Sequence, residues 1–311
     1  MRWGGSFKAG KGWSWTRFFS SLTVVLAIAS GVLWWHSGRF PYSPEEVRFR
    51  ILMVQYVQTK SQLDKMYMEA GTSNLSQYKM DRKINRLCES FETFLVSYPD
   101  HDQAMNAYGS FLDEIGRGEM AAHWWERAVE FSHQNPQLLN NLANYYGHNG
   151  RAEEAIKLYE EAIKLDPTEP IFHFNLGNMY YLFRKETHSI HKWDLQKTFE
   201  HSLLHFRMAR DLDPKNSEYA ISYAETYYGV KFLCKGFEWR DAEEAWRYCL
   251  PMDARQEYQD SIRVHLVRIN SYQGKSAVAL EWYGQINSPG SRQLAWQIIK
   301  RFFPDEMGHE V

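Results

Sequence analysis

Histidines supply the first candidate chemistry in this 311-residue chain. His201 and His205 stand four residues apart, a spacing that puts two imidazoles on one helical face and makes half of a metal site. His188 and His191 precede them in a segment of unsettled shape and could add ligands. No carboxylate or thiol is forced to lie close, so the plainer reading is a solvated polar face. Cys88, Cys234 and Cys249 form no C-x-x-C pair; they allow at most one internal disulfide, with Cys234 and Cys249 the near pair. No phosphate-binding G-x-x-x-x-G-K-[ST] loop, H-E-x-x-H helix or G-x-S-x-G elbow occurs. The expectation is a protein that is not an enzyme and carries no cofactor.

The elements that must position these residues are helices. The block 136–169, PQLLNNLANYYGHNGRAEEAIKLYEEAIKLDPTE, places Leu139, Leu142, Ala143 and Tyr146 at three- and four-residue steps. Gly150 ends that helix, and a second face follows at Ala155, Ile156, Tyr159, Ala162 and Ile163 until Asp166-Pro167 stops it. One hairpin of this size cannot bury its apolar face alone, so stacked neighbours are expected. One period upstream, Met105, Tyr108, Gly109, Leu112, Ala121, Trp125 and Ala128 repeat the pattern over 102–135. Downstream, Phe174, Leu176, Gly177 and Tyr180 begin a further repeat whose second helix returns only at Ser202, Phe206, Ala209 and Pro214. This repeat, 170–214, therefore carries about thirteen extra residues around 184–197.

Those residues and spacings resemble the tetratricopeptide repeat (TPR), a 34-residue helix-turn-helix unit. The resemblance implies an all-α solenoid, a right-handed superhelix, over 45–303. The pattern weakens at both ends: 45–97 reads as a long opening hairpin, hairpins follow from Lys215 and from about Asp260, and Ser291–Phe303 reads as a capping helix. Residues 304–311 are left as a tail. The resemblance also implies that first helices line a groove for extended peptides. The groove candidates are Asn106, Asn140, Asn141, Asn144, Asn175 and Asn178, with Phe174 and Tyr181 beside them. An asparagine amide can pair with a peptide backbone of any sequence. The alternative role is a bond between neighbouring helices. Asn144 and Asn175 resemble part of a clamp for terminal carboxylates, but its basic residues are absent: Asn140, Asn216 and Ala220 occupy those slots.

Ahead of the repeats, a basic segment 1–17 leads into Phe18–Trp35, eighteen apolar and hydroxyl-bearing residues. At about 1.5 Å per residue this stretch spans about 27 Å, near bilayer thickness. Arg2, Lys8, Lys11 and Arg17 precede it with no acidic residue, which orients the N-terminus toward the cytoplasm and the body outward. The expectation is one transmembrane anchor; the competing reading is a signal peptide cleaved after Ala29. Residues 36–44 form a short linker. The chain holds 36 basic and 38 acidic residues, so the part beyond residue 38 carries 32 against 38, a net −6 with no footprint for nucleic acid. The function expected is an exported, membrane-anchored scaffold or assembly factor binding a protein or peptide. Two alternatives stand beside it: a structural subunit held permanently in a membrane complex, and a metal- or small-ligand-binding subunit using His188–His205.

Overall fold

Apolar steps of three and four, with glycine and proline at the breaks, produce helices wherever the pattern runs. The structure, a computed structural model, describes residues 42–69, 74–132 and 134–304, and no strand occurs among them. The chain divides into two units, Met1–Pro99 and Asp100–Val311.

In the first unit, α1 (Pro44–Glu69) pairs with α2 (Asn74–Ser97). Ser43 Oγ accepts from the Glu46 N–H at 3.1 Å and caps the start. Leu52 and Leu63 of α1 are buried with Leu87, Phe91 and Phe94 of α2. Phe49 packs 5.9 Å from Phe94, and Tyr56 meets Phe91 edge-on at 6.0 Å.

In the second unit, successive hairpins follow the repeats. They are α3 (Asp102–Glu114) with α4 (Gly118–Phe131), and α5 (Pro136–His148) with α6 (Ala152–Leu165). The third first helix, α7 (Pro170–Leu182), pairs with α9 (Leu195–Leu212); between them the extra residues fold into a short helix, α8 (Arg184–His191). Then come α10 (Ser217–Leu233) with α11 (Trp239–Cys249), α12 (Gln256–Tyr272) with α13 (Ser276–Gly284), and the closing α14 (Pro289–Phe302). Gly116 and Gly150, one period apart, both take φ 78°, a left-handed turn that glycine enters at little cost. After each, the backbone closes back on the helix: Arg117 N–H reaches Leu112 O at 2.8 Å and Arg151 N–H reaches Tyr146 O at 2.9 Å.

The pairing within a hairpin rests on a small residue facing a ring. A Cβ added to Gly109 would lie 2.5 Å from the Trp125 ring, sixteen residues on, and one added to Gly177 would lie 3.2 Å from Phe206, twenty-nine residues on. The two separations differ by thirteen, the length of the insertion. Ser202 Oγ donates to Gly177 O at 2.9 Å at the same crossing. The helix that completes the third repeat therefore docks as if the insertion were not there. Near the end of the chain, buried Asp260 of α12 accepts from the N–H groups of Asn287 and Ser288 at 3.0 and 2.7 Å and pairs with Arg263 at 2.9 Å. These bonds pin the start of α14 to α12.

No helix among the described residues is long and apolar enough to cross a membrane. The expected anchor Phe18–Trp35, the basic segment before it and the tail beyond Pro304 lie outside those residues.

Ala155 is fully buried where α6 crosses α5. Ala155→Leu should overpack that crossing and lower stability by about 1–3 kcal/mol. Gly109→Ala should also destabilise, because the clash with Trp125 outweighs the roughly 1 kcal/mol that alanine adds to a helix. Urea unfolding of both variants checks this; a parent-like midpoint in both would refute the assigned crossings.

Candidate functional site

The asparagines expected in a groove fall into two groups. One group forms a chain across the first helices: Asn175 Nδ2 donates to Asn140 Oδ1 at 2.9 Å, and Asn141 Nδ2 to Asn106 Oδ1 at 3.0 Å. Both bonds span 35 residues, one per repeat. Asn140 Nδ2 reaches Asn141 Oδ1 at 3.5 Å, and Asn141 Nδ2 also touches Ser110 Oγ at 3.3 Å, so α3, α5 and α7 are stitched together. Asn140 is only 3% exposed. Its amide is spent between helices, which corrects its assignment as a peptide contact.

Asn106 and Asn175, at the ends of that chain, are engaged at one end of the amide only, and the remaining two are likewise half-engaged. Asn144 accepts from the Tyr159 hydroxyl at 2.6 Å, using its oxygen. Asn178 donates to Phe174 O at 3.1 Å, using its nitrogen. Both are half-buried, as is Tyr181. Phe174, expected beside them, is buried against Phe206 at 5.8 Å and Tyr219 at 4.9 Å. It is a core residue, and its place in the groove is also corrected. The cause is that α7 is apolar on nearly every side, with Phe172, Phe174, Leu176, Met179 and Tyr180 all buried, so its pattern points to no single face.

The histidines gather, but not around a metal. His173 Nε2 lies 3.0 Å from Pro167 O, and a carbonyl only accepts, so that nitrogen carries the proton. Neutral His173 then accepts at Nδ1, and His205 Nδ1–H donates to it across 3.0 Å. His201 instead stacks on Trp193, with ring centroids 3.9 Å apart and planes at 9°, and His191 stacks on the opposite face at 4.1 Å. Glu160 of α6 accepts from both the His191 ring at 2.7 Å and the Tyr180 hydroxyl at 2.6 Å, which ties α8 down. His188 Nδ1 bonds Trp193 O at 2.6 Å and closes the turn after α8. Among the described residues no three His, Cys, Asp or Glu side chains converge to hold a metal. The metal assignment of His201 and His205 is therefore corrected. Their spacing does share a face, but that face meets His173 and Trp193 rather than further ligands. The sequence offered no signal for Glu160 or Trp193 as their partners.

Burial pushes His205 down to about 3, helped by the charges of His173 and His201. Burial also lowers His173, against the pull of the Pro167 carbonyl. His201 is lowered by burial first and then by Lys197 and His191. Histidines held below their free value are neutral in the fold and take protons in the unfolded chain, which titrates near 6.5. Their contribution is thus present above that value and lost as pH falls. The urea midpoint should drop between pH 7 and pH 5, and less steeply in His205→Gln than in the parent. An unchanged slope in the variant would place the proton uptake elsewhere.

Residues 124–157 match the tetratricopeptide repeat family and residues 148–182 the TPR repeat family. Among curated proteins none matches the sequence significantly. Of solved structures, Pseudomonas aeruginosa PilF is similar at a TM-score of 0.53 and 14% identity, over 83% of this chain and 94% of that one. YrrB, described as a TPR protein with an unusual peptide-binding site, is similar at 0.50 and 13%, over 71% of this chain and 95% of that one. Residues 124–182 therefore match tetratricopeptide repeats, and the all-helical stack around them has a TPR-like fold.

Proposed function

We propose that this chain is a non-catalytic scaffold or assembly factor that holds an extended protein or peptide segment along its first helices. The observation that carries this reading is the division of labour among the asparagines. Asn140 and Asn141 use both ends of their amides between or along the first helices, while Asn106, Asn144, Asn175 and Asn178 each leave one end of a half-buried amide for a backbone. An extended segment loses about 1–2 kcal/mol per residue fixed, so apolar contacts must supply most of the binding. Amide bonds of about 0.5–1.5 kcal/mol each then set its direction. The chain is further proposed to sit in the membrane by Phe18–Trp35, with its stack, coiled as a right-handed superhelix, outside the cytoplasm.

The second reading, a permanent subunit of a membrane complex, has its own support. Phe131, Leu165, Leu212 and Tyr248 are 40–53% exposed at the ends of α4, α6, α9 and α11, a row repeated along the second helices. A photocrosslinker placed at position 178 or at position 165 of the full chain separates the two. Scaffold function predicts a discrete crosslinked partner from 178 and none from 165; the reverse would move the interface to the second helices.

Topology is checked independently. The full chain should stay in the membrane pellet through a carbonate wash, and protease added outside the cytoplasm should reach α3–α14. A mature N-terminus at Ser30 would contradict the anchor.

A further inference from the structure

Between α10, α12 and α14 lies an open cleft of about 600 Å³, within the range that takes a bound side chain and its neighbours. Tyr228 and Phe232 of α10, Tyr272 of α12 and Phe302 of α14 form its walls. The rings are fixed to one another. Phe232 and Phe302 meet Tyr272 edge-on at 5.4 and 4.9 Å, and Trp239 lies flat on Tyr272 at 4.7 Å with planes at 2°. Phe232 is 62% and Tyr272 38% exposed, so the cleft offers aromatic surface to solvent.

The charge in this cleft is one-sided. Arg268 and Arg301 line it, and no aspartate or glutamate does. Of the other arginines in this half of the chain, Arg247 pairs with Glu243, Arg255 with Asp253 and Arg263 with Asp260, and Arg292 is held by the Ile286 carbonyl. Arg268 and Arg301 enter none of the ion pairs found among the described residues, and Arg268 lies 5.8 Å over the Tyr228 ring. Two guanidiniums without carboxylates, lining one cleft of a body that is net acidic, attract an anionic group there.

The cleft also joins the first-helix row. Gly229, one of its lining residues, packs so closely on Tyr181 of α7 that an added Cβ would lie 2.6 Å from the tyrosine hydroxyl. The cleft therefore lies on the helix that packs directly against α7.

We propose that this cleft captures an internal acidic segment of a protein partner, seating one bulky aromatic side chain among the four rings and flanking carboxylates on Arg268 and Arg301. This deepens the scaffold reading and rests on it. Single-stranded nucleic acid also combines rings with anions, but it needs a longer basic track than two arginines in an acidic body.

The test uses detergent-solubilised full chain and a fluorescent peptide, Gly-Glu-Asp-Trp-Asp-Glu-Gly, read by anisotropy at two salt concentrations. Binding should weaken with salt, fall at least tenfold in Arg301→Gln and in Phe232→Ala, and vanish when lysine replaces the four acids. Arg301 and Phe232 are exposed, so both variants should melt like the parent. Absent binding, equal affinity for the lysine peptide, or unchanged affinity in both variants would overturn the site. So would tighter binding of a ten-residue oligothymidylate, or a dimer by light scattering that the peptide dissolves. A tenfold gain for the peptide when Asp305, Glu306 and Glu310 are all made neutral amides would assign the cleft to the chain's own tail and overturn the proposal. A crosslink from position 178 that survives in Arg301→Gln, with peptide affinity unchanged, would sink this site and leave the scaffold reading standing.

Discussion

A ring pressed onto a glycine across the hairpin, seen in α3–α4 and in α7–α9, is the contact on which the rest of the stack depends. Trp125 on Gly109 and Phe206 on Gly177 bring two backbones close enough that neither glycine can carry a side chain without a shift. Each buried ring removes about 150–250 Å² from water, which is worth roughly 4–6 kcal/mol gross. Ordering a hairpin of this length costs tens of kcal/mol of backbone entropy at about 1–2 kcal/mol per residue. One such contact therefore cannot hold a hairpin, and a run of neighbours that share their apolar faces can. The polar groups caught at those shared faces must then find partners inside. The asparagine chain across α3, α5 and α7 meets that requirement.

The proposed function and the packing draw on the same row of side chains. Two amides, Asn140 and Asn141, are consumed at both ends in holding first helices side by side, and four on the same helices are left half-engaged. Farther along, the row changes character: α10 and α12 present aromatic rings and, with Arg301 of α14 beside them, Arg268 in place of amides. A partner lying on the row would meet backbone-directed hydrogen bonds first and side-chain specificity second.

The crossings were legible because their signal is local and steric. Gly109 with Trp125 and Gly177 with Phe206 occupy matching slots, and a thirteen-residue interruption does not disguise a glycine or a ring. The asparagine chain was less legible because its partners do not share a slot. Asn141 meets Asn106 and Asn175 meets Asn140 at a spacing of 35, one more than the repeat. Phe174 misled because a helix apolar all round does not declare which side faces the core. For His201 and His205, spacing fixed their common face, but what that face would meet depended on the fold of the insertion. The aromatic–arginine cleft draws on three helices, and only the missing acidic partners around Arg268 and Arg301 could have hinted at it.

Hydrogen–deuterium exchange on the detergent-solubilised full chain, free and with a crosslink-identified partner bound, tests the central claim that recognition runs along the first helices. The account predicts slowed exchange in Pro136–His148, Pro170–Leu182 and Ser217–Leu233, with Ala152–Leu165 and Leu195–Leu212 unchanged. Slowing confined to Ala152–Leu165 and Leu195–Leu212 would contradict it.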